Sequence, residues 1–242
     1  RFFTEVETTG KHTDGLIALF SASELPTGKA FMKMWMPGMK DRTYYKGMAP
    51  ISKTAITPYN KRLTPVVGIH VDKEAVQSPF VVVYEPTESG LQSVIKSVNQ
   101  NNVQNNSNAI IVKIETIVNQ TYTVLAALGG DIVVNDNYSF SGNYGIIATE
   151  LDKQVYYLGF GKNLADSAFE ISTRNDVNGS AGVVKYPDRI EINANQPSVI
   201  RIKDKTLAER IDKSSSLVEF MEESGSLALM IEKGKYTVKI KN

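Results

Sequence analysis

The chain has 242 residues, 42% of them hydrophobic, with no cysteine, two histidines (His12 and His70) and a net charge of +1 from 27 basic and 26 acidic side chains. This length buries a substantial core without covalent staples, and the missing thiols exclude disulfides, a cysteine nucleophile, thiolate zinc and iron–sulfur chemistry. The balanced charge argues against a globally basic nucleic-acid binder, and no apolar run approaches the ~20 residues that span a bilayer.

The sequence opens on Arg1 rather than Met, and its first residues read as a strand, so the expectation is a piece of a longer protein. Short apolar or alternating runs follow at 16–21, 30–36, 66–71, 80–84, 110–114, 121–128, 144–149 and 155–160, then at 168–172, 181–185, 189–193, 198–203, 227–231 and 236–240. Turn residues separate them, as at Pro37-Gly38, Gly129-Gly130-Asp131, Asn178-Gly179 and Lys233-Gly234. Many short, regularly spaced strands without βαβ alternation predict an all-β fold of antiparallel stacked sheets, sandwich-like or supersandwich-like. The expected division is a β-sandwich region over 1–163 and a small C-terminal β domain over 164–242. Two stretches, 88–98 and 206–221, fit either a helical face or interrupted strands. The Asn- and Gln-rich run 99–108 is expected to be a solvated hairpin loop.

Several motifs fail on mechanism. Gly159-Phe160-Gly161-Lys162 lacks the spacer and the hydroxyl residue of a phosphate loop. Asn175-Asp176-Val177-Asn178-Gly179 lacks the first carboxylate and the distant glutamate of a calcium loop, and reads as an Asx turn. The Asn-x-Ser/Thr sequons follow from the Asn-rich composition. His12 sits in a turn-like setting and His70 at strand spacing; neither completes a Ser–His–acid arrangement. No catalytic residue, metal or cofactor is assigned on these grounds.

Charge is unevenly spread. Between Lys29 and Arg62 there are eight basic residues against Asp41 alone, a local +7 that leaves −6 elsewhere. Phe31, Trp35, Tyr44, Tyr45 and Tyr59 are threaded through the same window. Such a mixture suits an anionic polymer, with flat rings for sugar or base stacking. Met32, Met34 and Met36 alternate with Lys33 and Trp35, which predicts one thioether face, read as core filling, and one Lys/Trp face.

Trp35-Met36-Pro37-Gly38, Arg42-Thr43-Tyr44-Tyr45, Ala49-Pro50, Thr64-Pro65, Glu74-Ala75, Pro79-Phe80-Val81-Val82-Val83-Tyr84-Glu85-Pro86 and Tyr157-Leu158-Gly159-Phe160-Gly161-Lys162 form an ordered series. Over residues 15–165 this series resembles the C-terminal β region of heparinase II/III-type polysaccharide lyases. The resemblance implies a parent chain with an N-terminal helical toroid that supplies a catalytic tyrosine, acting by β-elimination on an acidic, uronate-containing polysaccharide. It also implies a periplasmic, secreted or cell-surface location, and together with the charge balance and the short apolar runs the expectation is no membrane span, no nucleic-acid partner and no cofactor. On that reading this chain supports the enzyme or contacts substrate, and is inactive alone. The expected substrate contacts are Lys40, Arg42, Tyr44, Tyr45 and Lys46, with Trp35 as a stacking platform. A free-standing glycan-binding or cell-surface module, and a purely structural assembly domain, stand as alternatives.

Overall fold

The computed structural model describes residues 4–11, 15–25, 28–39, 42–51, 54, 56–57, 60–71, 79–88, 92–103, 106–127, 132–134, 137–214, 217–223 and 225–241. His12, Lys40, the Glu74-Ala75 motif and the Gly129-Gly130-Asp131 turn lie outside them. The fold is all-β and antiparallel, and the chain divides into two compact units, Arg1–Ser93 and Val94–Asn242.

The first unit contains β1 (Thr4–Lys11), β2 (Leu16–Leu25), β3 (Gly28–Met36), β4 (Arg42–Ala49), β5 (Thr64–Val71) and β6 (Val83–Thr87). They form two three-stranded sheets, ordered β1-β4-β5 and β2-β3-β6. The period-two pattern of β3 sorts its residues as the sequence predicts. Met34 and Met36 are buried in a small core with Tyr44 of β4, against Leu16, Phe20, Val67 and Ile69. Lys33 and Trp35 take the other face, opposite Glu85 and Val83 of β6. The apolar run at 80–84 becomes strand only from Val83 onward, because Pro79 and Phe80 are engaged by an arginine described below.

The second unit contains β7 (Ile95–Val103), β8 (Asn106–Thr116), β9 (Thr121–Ala127), β10 (Ile132–Val134), β11 (Ser139–Thr149), β12 (Gln154–Ala165), β13 (Phe169–Thr173), β14 (Gly179–Lys185), β15 (Arg189–Ala194) and β16 (Ser198–Ile202). A short helix α1 (Lys205–Arg210) and strands β17 (Glu219–Glu223), β18 (Ser226–Ile231) and β19 (Gly234–Lys239) complete it. All thirteen strands belong to one hydrogen-bonded sheet. The sheet forks at β12, whose earlier residues pair with β14 and whose residues 163–165 pair with β13. The expected domain boundary near residue 163 thus falls on this β12–β13 pairing.

The two arms of the fork share a core. Ile171, Ile200, Ile202 and Leu229 from one arm join Val183, Ile190, Ile192 and Val238 from the other, all at most 2% exposed. Each such side chain contributes about 1.5–3 kcal/mol by leaving water. Tyr156 of β12 lies in this core with its ring 4.9 Å from that of Phe169, and its hydroxyl donates to Asp166 Oδ2 at 3.0 Å.

The described parts of the two ambiguous stretches resolve differently, one into strand and the other into a short helix and a strand. Val98 sits opposite Ile114 in the β7–β8 ladder, so 95–98 is strand. Most of the Asn-rich run is also strand in this hairpin rather than loop, its backbone pairing from Asn99 opposite Lys113 to Val103 opposite Asn106. In 206–221, Asp204 caps a six-residue helix through Leu207 N at 3.1 Å, and β17 begins at Glu219. Among the described residues the helices are α1 and a three-residue 3-10 turn at Arg174–Asp176, and none is long and apolar enough to cross a membrane.

Candidate functional site

Strand β4 carries most of the contact residues expected from sequence, and its alternation separates them. Arg42 is 2% exposed and Tyr44 is fully buried, both turned toward the core. One Arg42 Nη donates to the Pro79 carbonyl at 3.0 Å, and the guanidinium carbon lies 4.8 Å from the Phe80 ring centroid. The Tyr44 hydroxyl donates to the Pro37 carbonyl at 3.3 Å. Burial lowers the Arg42 pKa and raises that of Tyr44, and each group partly offsets the shift of the other. In this conformation neither side chain is presented to a solvent-borne ligand; both tie distant segments together beneath the sheet.

Tyr45 and Lys46 are accessible. The Lys46 ammonium reaches Glu7 Oε2 at 2.7 Å on the neighbouring β1, and both side chains remain well exposed. Across β4 and β5, Tyr45 lies opposite Gly68, with His70 two residues further along β5 opposite Thr43. A side chain at Gly68 would meet the Tyr45 Cβ at 3.9 Å, so glycine keeps that space open. The result is a concavity of about 470 Å³ lined by Tyr45, Lys46, Gly47, Val66, Gly68 and His70. Strand alternation sets the Tyr45 phenol and the His70 imidazole on this face, which allows stacking and hydrogen bonding, while Lys46, one position on, belongs to the alternate face and reaches Glu7.

Trp35 belongs to a different face. It is half-buried, and its indole N–H donates to Glu85 Oε2 at 2.8 Å, an oxygen that also accepts from Ser93 Oγ at 2.6 Å. Lys33 is 9% exposed and donates to the Gln92 carbonyl at 2.9 Å. The cationic window is therefore not one uniform surface, since Lys33 and Arg42 serve internal carbonyls and Lys46 is paired with Glu7. Among the described residues no group of three or more His, Cys, Asp or Glu is placed to hold a metal.

The structure brings His70 beside Tyr45, a grouping that sequence spacing alone does not reveal. The available signal was the two glycines, Gly47 and Gly68, at strand positions where a side chain is the norm. No family model matches the chain. It is similar to an endo-acting ulvan lyase from Formosa agariphila, at 27% identity over 171 residues, a match that covers 68% of this chain and 20% of that protein. The chain thus spans about one fifth of the relative's length, and what the two share is similarity to part of a polysaccharide lyase.

Proposed function

We propose that this chain is the β-sheet portion of a polysaccharide lyase acting on an acidic, uronate-containing glycan, and that it contacts the polymer through the outer face of β4 and β5. The observation that carries this reading is the groove with Tyr45 and His70 beside a floor cleared by Gly47 and Gly68, in a chain similar to an ulvan lyase. Tyr45 offers a ring face to the apolar side of a pyranose. His70 offers a hydrogen-bonding group to carboxylates and hydroxyls.

The reaction class is β-elimination. A base takes the proton on the carbon α to the uronate carboxylate, and positive or hydrogen-bonding groups stabilise the enolate that forms. The bond from the β carbon to the glycosidic oxygen then breaks as the carbon–carbon double bond forms, and an acid protonates the departing oxygen. The heparinase II/III-type architecture, with a helical toroid on the same parent chain supplying a catalytic tyrosine, is the version we favour. It leaves this chain in a supporting, substrate-contacting role, in a periplasmic, secreted or cell-surface enzyme.

The test is retention on an immobilised acidic polysaccharide. His70→Ala combined with Tyr45→Ala should elute at clearly lower salt than the unsubstituted chain. Retention unchanged by the pair would refute the contact. Retention of the chain with no lyase activity in its parent would favour the free-standing glycan-binding module.

A further inference from the structure

Resting on this glycan-directed reading, we propose a second oligosaccharide-binding platform in the other unit, on the solvent face of β12, β14, β15 and β19. It would take a uronate-containing pyranose chain, with sugar rings over Tyr144 and Tyr157 and a carboxylate at Lys235. The residues of this face are set in register. Tyr157 sits opposite Gly182, Gly182 opposite Asn193, and Asn193 opposite Lys235. At the usual strand spacing this row runs roughly 14 Å, about the length of a trisaccharide. It crosses a concavity of about 780 Å³, within the range of ligand sites.

The aromatic rings are laid flat by glycines. Tyr144 of β11 lies opposite Gly159, where an added Cβ would come within 2.3 Å of the Tyr144 ring. Tyr157 lies beside Gly182, its ring 3.5 Å from the position of an added Cβ, an ordinary packing distance. The two rings are 5.8 Å apart and inclined by 36°, and Tyr144 keeps 43% of its surface in water. The core does not require them, because Leu158, Ala181, Val183 and Ile192 seal the opposite face of the same strands. Next to them β12 bulges at Phe160, which is 54% exposed and held at φ 49° with its N–H on Ser180 Oγ at 3.0 Å. A bulky residue in left-handed backbone is costly, and such strain gathers at functional surfaces.

The polar half of the face has the matching chemistry. Asn193 and Lys235 are exposed and their side chains have no hydrogen-bond or ion-pair partner among the described residues. Glu191 is neutralised by Arg189 at 2.8 Å, so the cation at Lys235 is the charge this row offers an anionic ligand. Aromatic faces for ring C–H groups, an amide for hydroxyls and one ammonium for a carboxylate suit an acidic sugar chain.

The experiment is an amide NMR titration of the 242-residue chain with an alginate tetrasaccharide, a ligand whose every residue is a uronate. Shifts at Gly182 and the Asn193 side-chain amide are expected, together with roughly tenfold weaker binding for Tyr157→Ala. Tyr157→Phe keeps the ring and should restore binding, and Lys235→Ala, an exposed change, should weaken it several-fold. Shifts confined to Gly47, Gly68 and His70 would overturn the platform and leave the β4–β5 groove standing. Shifts confined to Gly182 and Asn193 would do the reverse, and no shift at either surface would overturn both.

Discussion

Arg42 has the charge of a surface residue and the surroundings of a core residue. Its guanidinium serves the Pro79 carbonyl and the Phe80 ring, and so fixes the approach to β6 against β4. Arg42→Met keeps much of the volume but leaves the Pro79 carbonyl without this donor, and should cost about 1–3 kcal/mol in urea denaturation. A surface contact residue would change stability by no more than ~0.5 kcal/mol. Tyr156 gives a test by pH. Burial, with Asp166 nearby, pushes its phenol far above the ordinary value near 10. The unfolded chain therefore releases this proton before the folded one does. The stabilisation is intact below pH ~10 and falls as pH rises beyond it. Tyr156→Phe should flatten that alkaline decline and cost about 1 kcal/mol near neutrality, through loss of the bond to Asp166. An alkaline profile unchanged in this variant would contradict the assignment.

At the scale of elements, the Phe160 bulge and strand β4 are the informative cases. Phe160→Gly removes the left-handed strain at an exposed position, so it should raise stability by about 1 kcal/mol while weakening oligosaccharide binding. A lower thermal midpoint would show that the Phe160 ring has a packing role. Most strands were legible as alternating apolar runs, from 16–21 to 236–240. Strand β4 was not, because Arg42, Tyr44 and Lys46 occupy the positions where that pattern expects aliphatic residues, and their fates differ. What buries Arg42 is a carbonyl 37 residues away, which no local window contains. Spacing left 88–98 open between helix and strand for a related reason: over 95–98 the pairing with β8 decides the backbone, and periodicity sees only one side of it. The rows joining Tyr45 to Gly68 and Tyr157 to Gly182 depend on register, which the sequence does not display.

For the molecule as a whole, each unit has a core of its own, a small one around Met34, Met36 and Tyr44 and a larger one shared by the arms of the forked sheet. Residues 94–242 made alone should therefore unfold in one cooperative transition; a non-cooperative loss of signal would show that the larger core depends on residues 1–93. The net charge of +1 now has a physical description. Of the eight cations in the +7 window, Lys33 and Arg42 serve internal carbonyls, Lys46 pairs with Glu7, and Lys61 and Arg62 are exposed. The glycan contact proposed for this unit is accordingly the groove at Tyr45 and His70 rather than the whole cationic window. The most direct measurement is to incubate the parent polypeptide, and separately the 242-residue chain, with a uronate-containing polysaccharide and follow formation of unsaturated uronate ends. The account predicts unsaturated product from the parent, and from this chain retention of the polymer without product. Saturated, hydrolytic ends or no cleavage by the parent, together with no retention by the chain, would contradict it.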